Sequence, residues 1–199
     1  FTRYVPKAGT SVTIEATDEW GNKSSKVVKI TRTVTANNDR MTFANLDPTK
    51  VSGRPNRNAV ALIMGVSNYS RAPDAVYADS DASVFSDYAH RALGIPTNRI
   101  KLLTNSLASN TDMKVNVKQW LRGRIEEGKT DVYVFYAGHG LASANGEDLY
   151  LLPHDGVPNL LEDTSLKRNE LFDVISAANP KSATVFLDTC YSGLSRGDE

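Results

Sequence analysis

The chain has one cysteine, Cys190, among 199 residues. A single thiol excludes an internal disulfide framework and any metal site built from several thiolates. It also lacks a charge of prevailing sign: Lys+Arg and Asp+Glu both number 23, so no net field draws it to nucleic acid or to an anionic membrane. Charge selectivity, where it exists, has to be local. Its longest apolar runs, Ala59 to Val66 and Val132 to Ala137, fall short of the roughly 18 to 20 residues that span a bilayer. No Gly-x-Gly-x-x-Gly and no phosphate loop follows the first long apolar run, which argues against a nucleotide-binding protein. Trp20 and Trp120 read as packing residues, without the interleaving of aromatic and basic side chains that nucleic acid demands. The chain opens at Phe1 with no initiator methionine, so we expect a piece of a longer precursor.

What is present falls into two patterns. From Ser11 to Thr17 and from Ser25 to Val34 apolar and polar residues alternate, and Asp18-Glu-Trp-Gly-Asn22 between them supplies turn chemistry, so residues 1–35 predict a β-hairpin. A hairpin is marginal alone and must pack on a neighbour or belong to a larger sandwich. Residues 36–58, rich in Asn, Asp, Pro, Thr and Arg, read as a linker.

From residue 59 strands alternate with helices. Ala59–Val66 is a continuous apolar strand of the kind covered on both faces. Helices are expected over 79–93, stopping at Gly94, over 111–127, closing at Gly128, and over 166–178; further strands over 99–104, 131–137, 148–152 and 183–188. This repeat predicts an α/β fold, a mostly parallel sheet between helix layers, with the hairpin as an N-terminal extension.

Open α/β sheets gather their chemistry at the carboxyl ends of the strands. Two of the strands run into Tyr136-Ala-Gly-His-Gly140 and Leu187-Asp-Thr-Cys-Tyr-Ser-Gly193, with His139 and Cys190 51 positions apart. An imidazole near a thiol draws off its proton and makes a nucleophile for acyl transfer. The flanking glycines allow close approach of substrate backbone, and the N–H groups of Gly140 and Cys190 are candidates for an oxyanion hole. A lone buried Cys is more often an inert small hydrophobe and a lone His more often structural, but both motifs closing apolar strands in this order outweigh those separate readings.

These motifs resemble those of the caspase clan, whose histidine lies about 50 residues before its cysteine; the spacing is thus a match to a known pattern. The words Tyr-x-Gly-His-Gly and Asp-x-Cys-x-Ser-Gly resemble the metacaspase and bacterial orthocaspase branch, over Asn58 to Gly193. Animal caspases carry a glutamine-alanine pair where this chain has Asp188-Thr189. The resemblance implies a caspase-like three-layer sandwich over 59–199 and a cysteine endopeptidase that works through a thioester. It implies an acidic pocket formed by Asp188 and by Asp81 at the start of the first helix, and so cleavage after Arg or Lys. Neighbouring Asp79 reads instead as a charge at a helix N-terminus.

No cofactor and no metal are expected. Asp155, Glu162 and Asp163 lie where some relatives bind an activating calcium, and are taken as a solvated acidic loop. His154 is taken as a loop surface residue, His90 as helix surface, and Ser67 and Asn68 as a turn or a cleft wall. The partners implied are a protein or peptide substrate and a small-subunit portion of the same precursor, with neither nucleic acid nor membrane. Arg196 is the position at which a basic-specific enzyme would cut itself. The hairpin resembles the end of a bacterial immunoglobulin-like module, from which an exported bacterial protein is expected. The competing reading is a catalytically silent caspase-like module that serves assembly.

Overall fold

The computed structural model describes residues 10–18, 20–30, 47–189 and 191–192. The chain divides into two compact units, Phe1–Asn45 and Leu46–Glu199. Cys190 and Arg196, both singled out in the sequence, lie outside the described residues, as do 31–34 of the second alternating run.

In the first unit β1 (Thr10–Thr17) and β2 (Lys23–Ile30) pair antiparallel from Thr10↔Ile30 to Thr17↔Lys23. The Asp18 carboxylate sets the turn, accepting from the Trp20 and Asn22 amides at 3.0 and 2.8 Å and from the Asn22 side chain at 2.9 Å. Gly21 takes the positive φ (+85°) that closes it.

The second unit is built on β3 (Ala59–Gly65), β4 (Ile100–Thr104), β5 (Asp131–Ala137) and β9 (Ser182–Asp188), a parallel sheet in the order β4-β3-β5-β9. All seven residues of β3 are buried, as a continuous apolar strand between two layers requires. Its side chains alternate: Val60, Leu62 and Met64 enter one core, Ala59, Ala61 and Ile63 the other. The second core is closed by α1 (Ala78–Arg91), whose Ala82, Phe85 and Ala89 repeat at helical spacing. The first receives Met113 of α2 (Asn110–Val115) and Leu171 and Ile175 of α4 (Arg168–Ala177). Helices thus cover both faces, as the strand-helix repeat predicts.

A second, smaller sheet has the order β10-β6-β7-β8, from β6 (Gly140–Ala142), β7 (Leu149–Leu151), β8 (Leu166–Lys167) and β10 (Tyr191–Ser192). The short α3 (Leu161–Thr164) precedes β8.

Two helices differ from expectation. Ser109, not Thr111, caps α2, accepting from the Asp112 amide at 3.1 Å. After Val115 the chain continues as a wide-turn helix, Asn116–Leu121, and closes with a tight turn at Arg122–Arg124. The helix expected from 166 starts at Arg168, because Leu166 and Lys167 pair with Leu151 and Tyr150. Leu166 is fully buried there, and that pairing outweighs helical periodicity. Residues in 47–58 join the second unit through Gly53 N–H to Arg91 O (2.6 Å) and Asn56 N–H to Gly94 O (2.9 Å). Among the described residues no helix is long and apolar enough to cross a membrane.

Candidate active site

Because the four main strands are parallel, their carboxyl ends Gly65, Thr104, Ala137 and Asp188 share one edge. His139 follows two residues beyond β5. The 66–77 loop is tied to the same edge, with Val66 N–H on the Ala137 carbonyl at 3.0 Å.

This loop holds the imidazole. His139 Nε2 lies 2.7 Å from the Pro73 carbonyl oxygen. A carbonyl only accepts, so Nε2 carries a proton, and in the neutral imidazole Nδ1 carries the lone pair. The Tyr69 ring packs against the imidazole, centroids 4.7 Å apart and planes tilted 33°. Both main-chain groups of His139 meet phenols: its N–H donates to Tyr69 Oη at 2.8 Å, and its carbonyl accepts from Tyr136 Oη at 2.8 Å. Burial pushes the Tyr69 phenol up from its ordinary value, so it keeps its proton through the working range. Sequence reasoning missed Tyr69 and Pro73; the aperiodic 66–77 loop carries no pattern to mark them.

Cys190 itself lies outside the described residues, but the strands on either side of it are paired. Asp188 pairs with Ala137, and Tyr191 pairs with Gly140. Both pairings carry an offset of 51, the separation of Cys190 from His139. Gly140 is buried in β6.

The aspartates separate clearly. Asp188 ends β9 with an exposed side chain, while its carbonyl accepts from Gly138 N–H at 3.2 Å, beside the Gly-His-Gly turn. Asp81 is exposed in the first turn of α1. Neither carboxylate makes a hydrogen bond or ion pair with the described residues. Asp79 is engaged: it accepts from Ser67 Oγ at 2.6 Å and Asn105 Nδ2 at 3.0 Å, and those bonds, Ser67 first, hold its carboxyl below the ordinary range. Asn105 also accepts from the Ser67 and Asn68 amides at 2.9 and 3.0 Å, joining the ends of β3 and β4 to the start of α1. Ser67 and Asn68 are therefore part of this brace.

His154 braces the loop from the other side. Its Nδ1 lies 2.6 Å from Asn68 O, and its carbonyl accepts from Ser70 N–H and Oγ, each at 2.9 Å. His90 Nδ1 lies 2.9 Å from Ile95 O, at the far end of α1. Asp155 accepts from Asn110 N–H at 2.7 Å at the start of α2, and Glu162 and Asp163 fall in α3. Among the described residues no group of three or more His, Cys, Asp or Glu is arranged to hold a metal ion.

A parallel three-layer α/β unit with a tautomer-fixed histidine at its carboxyl edge belongs to the class of α/β proteins that place their chemistry where the strands end. The family model of the caspase domain matches residues 58–199, and the chain belongs to that family of cysteine peptidases. The crystal structure of a Geobacter sulfurreducens protein is similar in fold, with a TM-score of 0.54 at 18% identity, over 68% of this chain and 52% of that one. The chain thus spans about half the length of that protein. No curated protein matches it.

Proposed function

We propose that this chain is the large-subunit portion of a metacaspase-type cysteine endopeptidase that cleaves after Arg or Lys, with Cys190 as nucleophile and His139 as base. The observation that carries the reading is the Pro73 carbonyl on Nε2, because it leaves Nδ1 as the basic nitrogen of the ring. In that chemistry Nδ1 takes the Cys190 Sγ proton as the sulfur forms a bond to the scissile carbonyl carbon. The oxyanion develops toward the N–H groups of Gly140 and Cys190. Collapse breaks the C–N bond, the leaving amine takes the proton from the imidazolium, and a thioester remains. Water, deprotonated by the same nitrogen, then releases the acid and restores the thiol. These steps need no cofactor.

Selectivity in this reading comes from Asp81 and Asp188, exposed carboxylates without partners among the described residues that favour a cationic side chain. The partner in the assembly is the small-subunit portion of the same precursor. It is supported by β9, which pairs on one edge only among the described residues and leaves Phe186 42% exposed. The exported location rests on the likeness of the hairpin to immunoglobulin-like modules.

Hydrolysis of paired fluorogenic peptides ending in Arg and in Asp tests the proposal. Turnover of the Arg peptide, abolished in Cys190→Ala and in His139→Ala, is expected. Silence toward both peptides with the small-subunit portion present would favour the assembly module.

A further inference from the structure

The contacts on His139 converge on one residue from two sides of the fold, and the two phenols involved also touch each other. Tyr69 Oη accepts from the His139 N–H, and it is hydrogen-bonded to the Tyr136 side chain. Tyr136 Oη faces the carbonyls of His139 and Leu152 at 2.8 and 2.9 Å. A hydroxyl has one proton, and carbonyls offer none, so Tyr136 gives its proton to one of these two carbonyls at a time. The two hydroxyls thus hold both main-chain groups of His139: Tyr69 accepts from its N–H and Tyr136 donates to its carbonyl.

We propose that Tyr69 and Tyr136 form a clamp that fixes the main chain and ring of His139, and that Tyr69 is thereby a positioning residue for the base. The inference rests on the assignment of His139 to catalysis made above. A buried tyrosine is ordinarily a packing residue, but packing requires neither hydroxyl on the main chain of one histidine nor a ring against its imidazole. Tyr69 also shapes the segment that delivers the Pro73 carbonyl: its N–H donates to Asp74 Oδ1 at 3.3 Å, so Pro73 lies within a loop closed at both ends. Ring face, main chain and tautomer-fixing carbonyl therefore come from one short stretch, 69–74. Gly138 is the fitted part opposite, since a Cβ there would lie 2.5 Å from Tyr69 Oη and 2.9 Å from Tyr136 Oη.

The test uses the full chain labelled with ¹⁵N-histidine. Two-bond ¹H–¹⁵N spectra report the tautomer of each of the three imidazoles, and His139→Gln identifies the signal. Tyr69→Phe keeps the ring and removes the hydroxyl on the His139 N–H; Tyr136→Phe removes the hydroxyl on the His139 carbonyl. The wild-type His139 is expected as the Nε2–H tautomer, and in both variants as a mixture. On the Arg peptide kcat is expected to fall roughly tenfold to a hundredfold with KM within about twofold, as small displacements of a catalytic group do. The double variant should fall by less than the product of the two single losses, because both hydroxyls hold the same residue. An unmixed tautomer with kcat within about twofold in Tyr69→Phe, while melting temperature alone changes, would overturn the clamp. If Tyr69→Phe fails to fold, Tyr136→Phe decides by the same readings. If the wild type turns over no peptide even with the small-subunit portion present, the peptidase reading falls by itself, and the spectra, which need no substrate, still decide the clamp.

Discussion

Gly138 shows how much one residue of the Gly-His-Gly turn has to satisfy. Its φ of +145° is open to glycine and to almost no side chain. The space where a Cβ would go is occupied by the Tyr69 and Tyr136 hydroxyls. Gly138→Ala is therefore expected to lower stability by about 1–3 kcal/mol through backbone strain, and by more where the hydroxyls cannot retreat. It should also cut turnover of an Arg peptide at least a hundredfold, because the clamp moves with the turn. Urea unfolding and peptide kinetics on the same preparation check both, and a variant within 0.5 kcal/mol of wild type would contradict the geometry. In the sequence the glycines are legible as glycines near a reactive histidine, read there as room for substrate. Their room for two phenols is not legible, since it depends on a loop 70 residues upstream. Pro73 is harder still, because it acts through a carbonyl that every residue has.

At the level of elements, the strands announce themselves and the site is braced by what lies between them. Continuous apolar runs mark β3, buried on both faces, and β5, buried on one face and half-buried on the other. The wide turns after Val115 and the two-residue β8 leave no periodic trace, being set by pairing and packing rather than by local pattern. Asp79, read from sequence as a helix-terminal charge, turns out to fasten α1 to the ends of β3 and β4 through Ser67 and Asn105. Its carboxyl is held below the ordinary 3.8 chiefly by the Ser67 and Asn105 bonds. A depressed folded value contributes stability above pH 3.8, and that contribution fades as pH falls through the folded value. Asp79→Asn should thus be less stable than wild type at pH 6, and the gap should narrow by pH 3. Denaturant midpoints at the two pH values measure it; an unchanged gap would mean that the carboxylate charge contributes nothing. Gly65 sits under the same turn of α1, where a Cβ would meet Ala82 Cβ and lie 2.5 Å from Ala78 O. Gly65→Ala should lift the helix start that carries Asp79 and Asp81, costing about 1–3 kcal/mol as overpacking does. KM for the Arg peptide should rise with it, and an unchanged KM would detach Asp81 from the substrate.

For the whole molecule the governing quantity is a net charge of zero, with an isoelectric point near 7.0. Such a chain has no overall field with which to gather a cationic substrate, so any preference for Arg or Lys has to arise within contact distance. Ionic strength distinguishes the two cases. The screening length shortens from about 30 Å at 0.01 M salt to about 8 Å at 0.15 M, which abolishes long-range steering and leaves a pair at contact largely intact. For the pocket proposed around Asp81 and Asp188, kcat/KM on an Arg peptide is expected to change by less than about threefold over that range. Asp188→Asn, by contrast, should lower it on the order of tenfold at either salt, the scale of one partly solvated ion pair. A fall of tenfold or more with salt alone would place the attraction in a distributed field and remove Asp188 from the pocket. The same measurement on a neutral peptide supplies the baseline, because screening acts only on the charged side chain and leaves the thiol chemistry at the strand ends as it was.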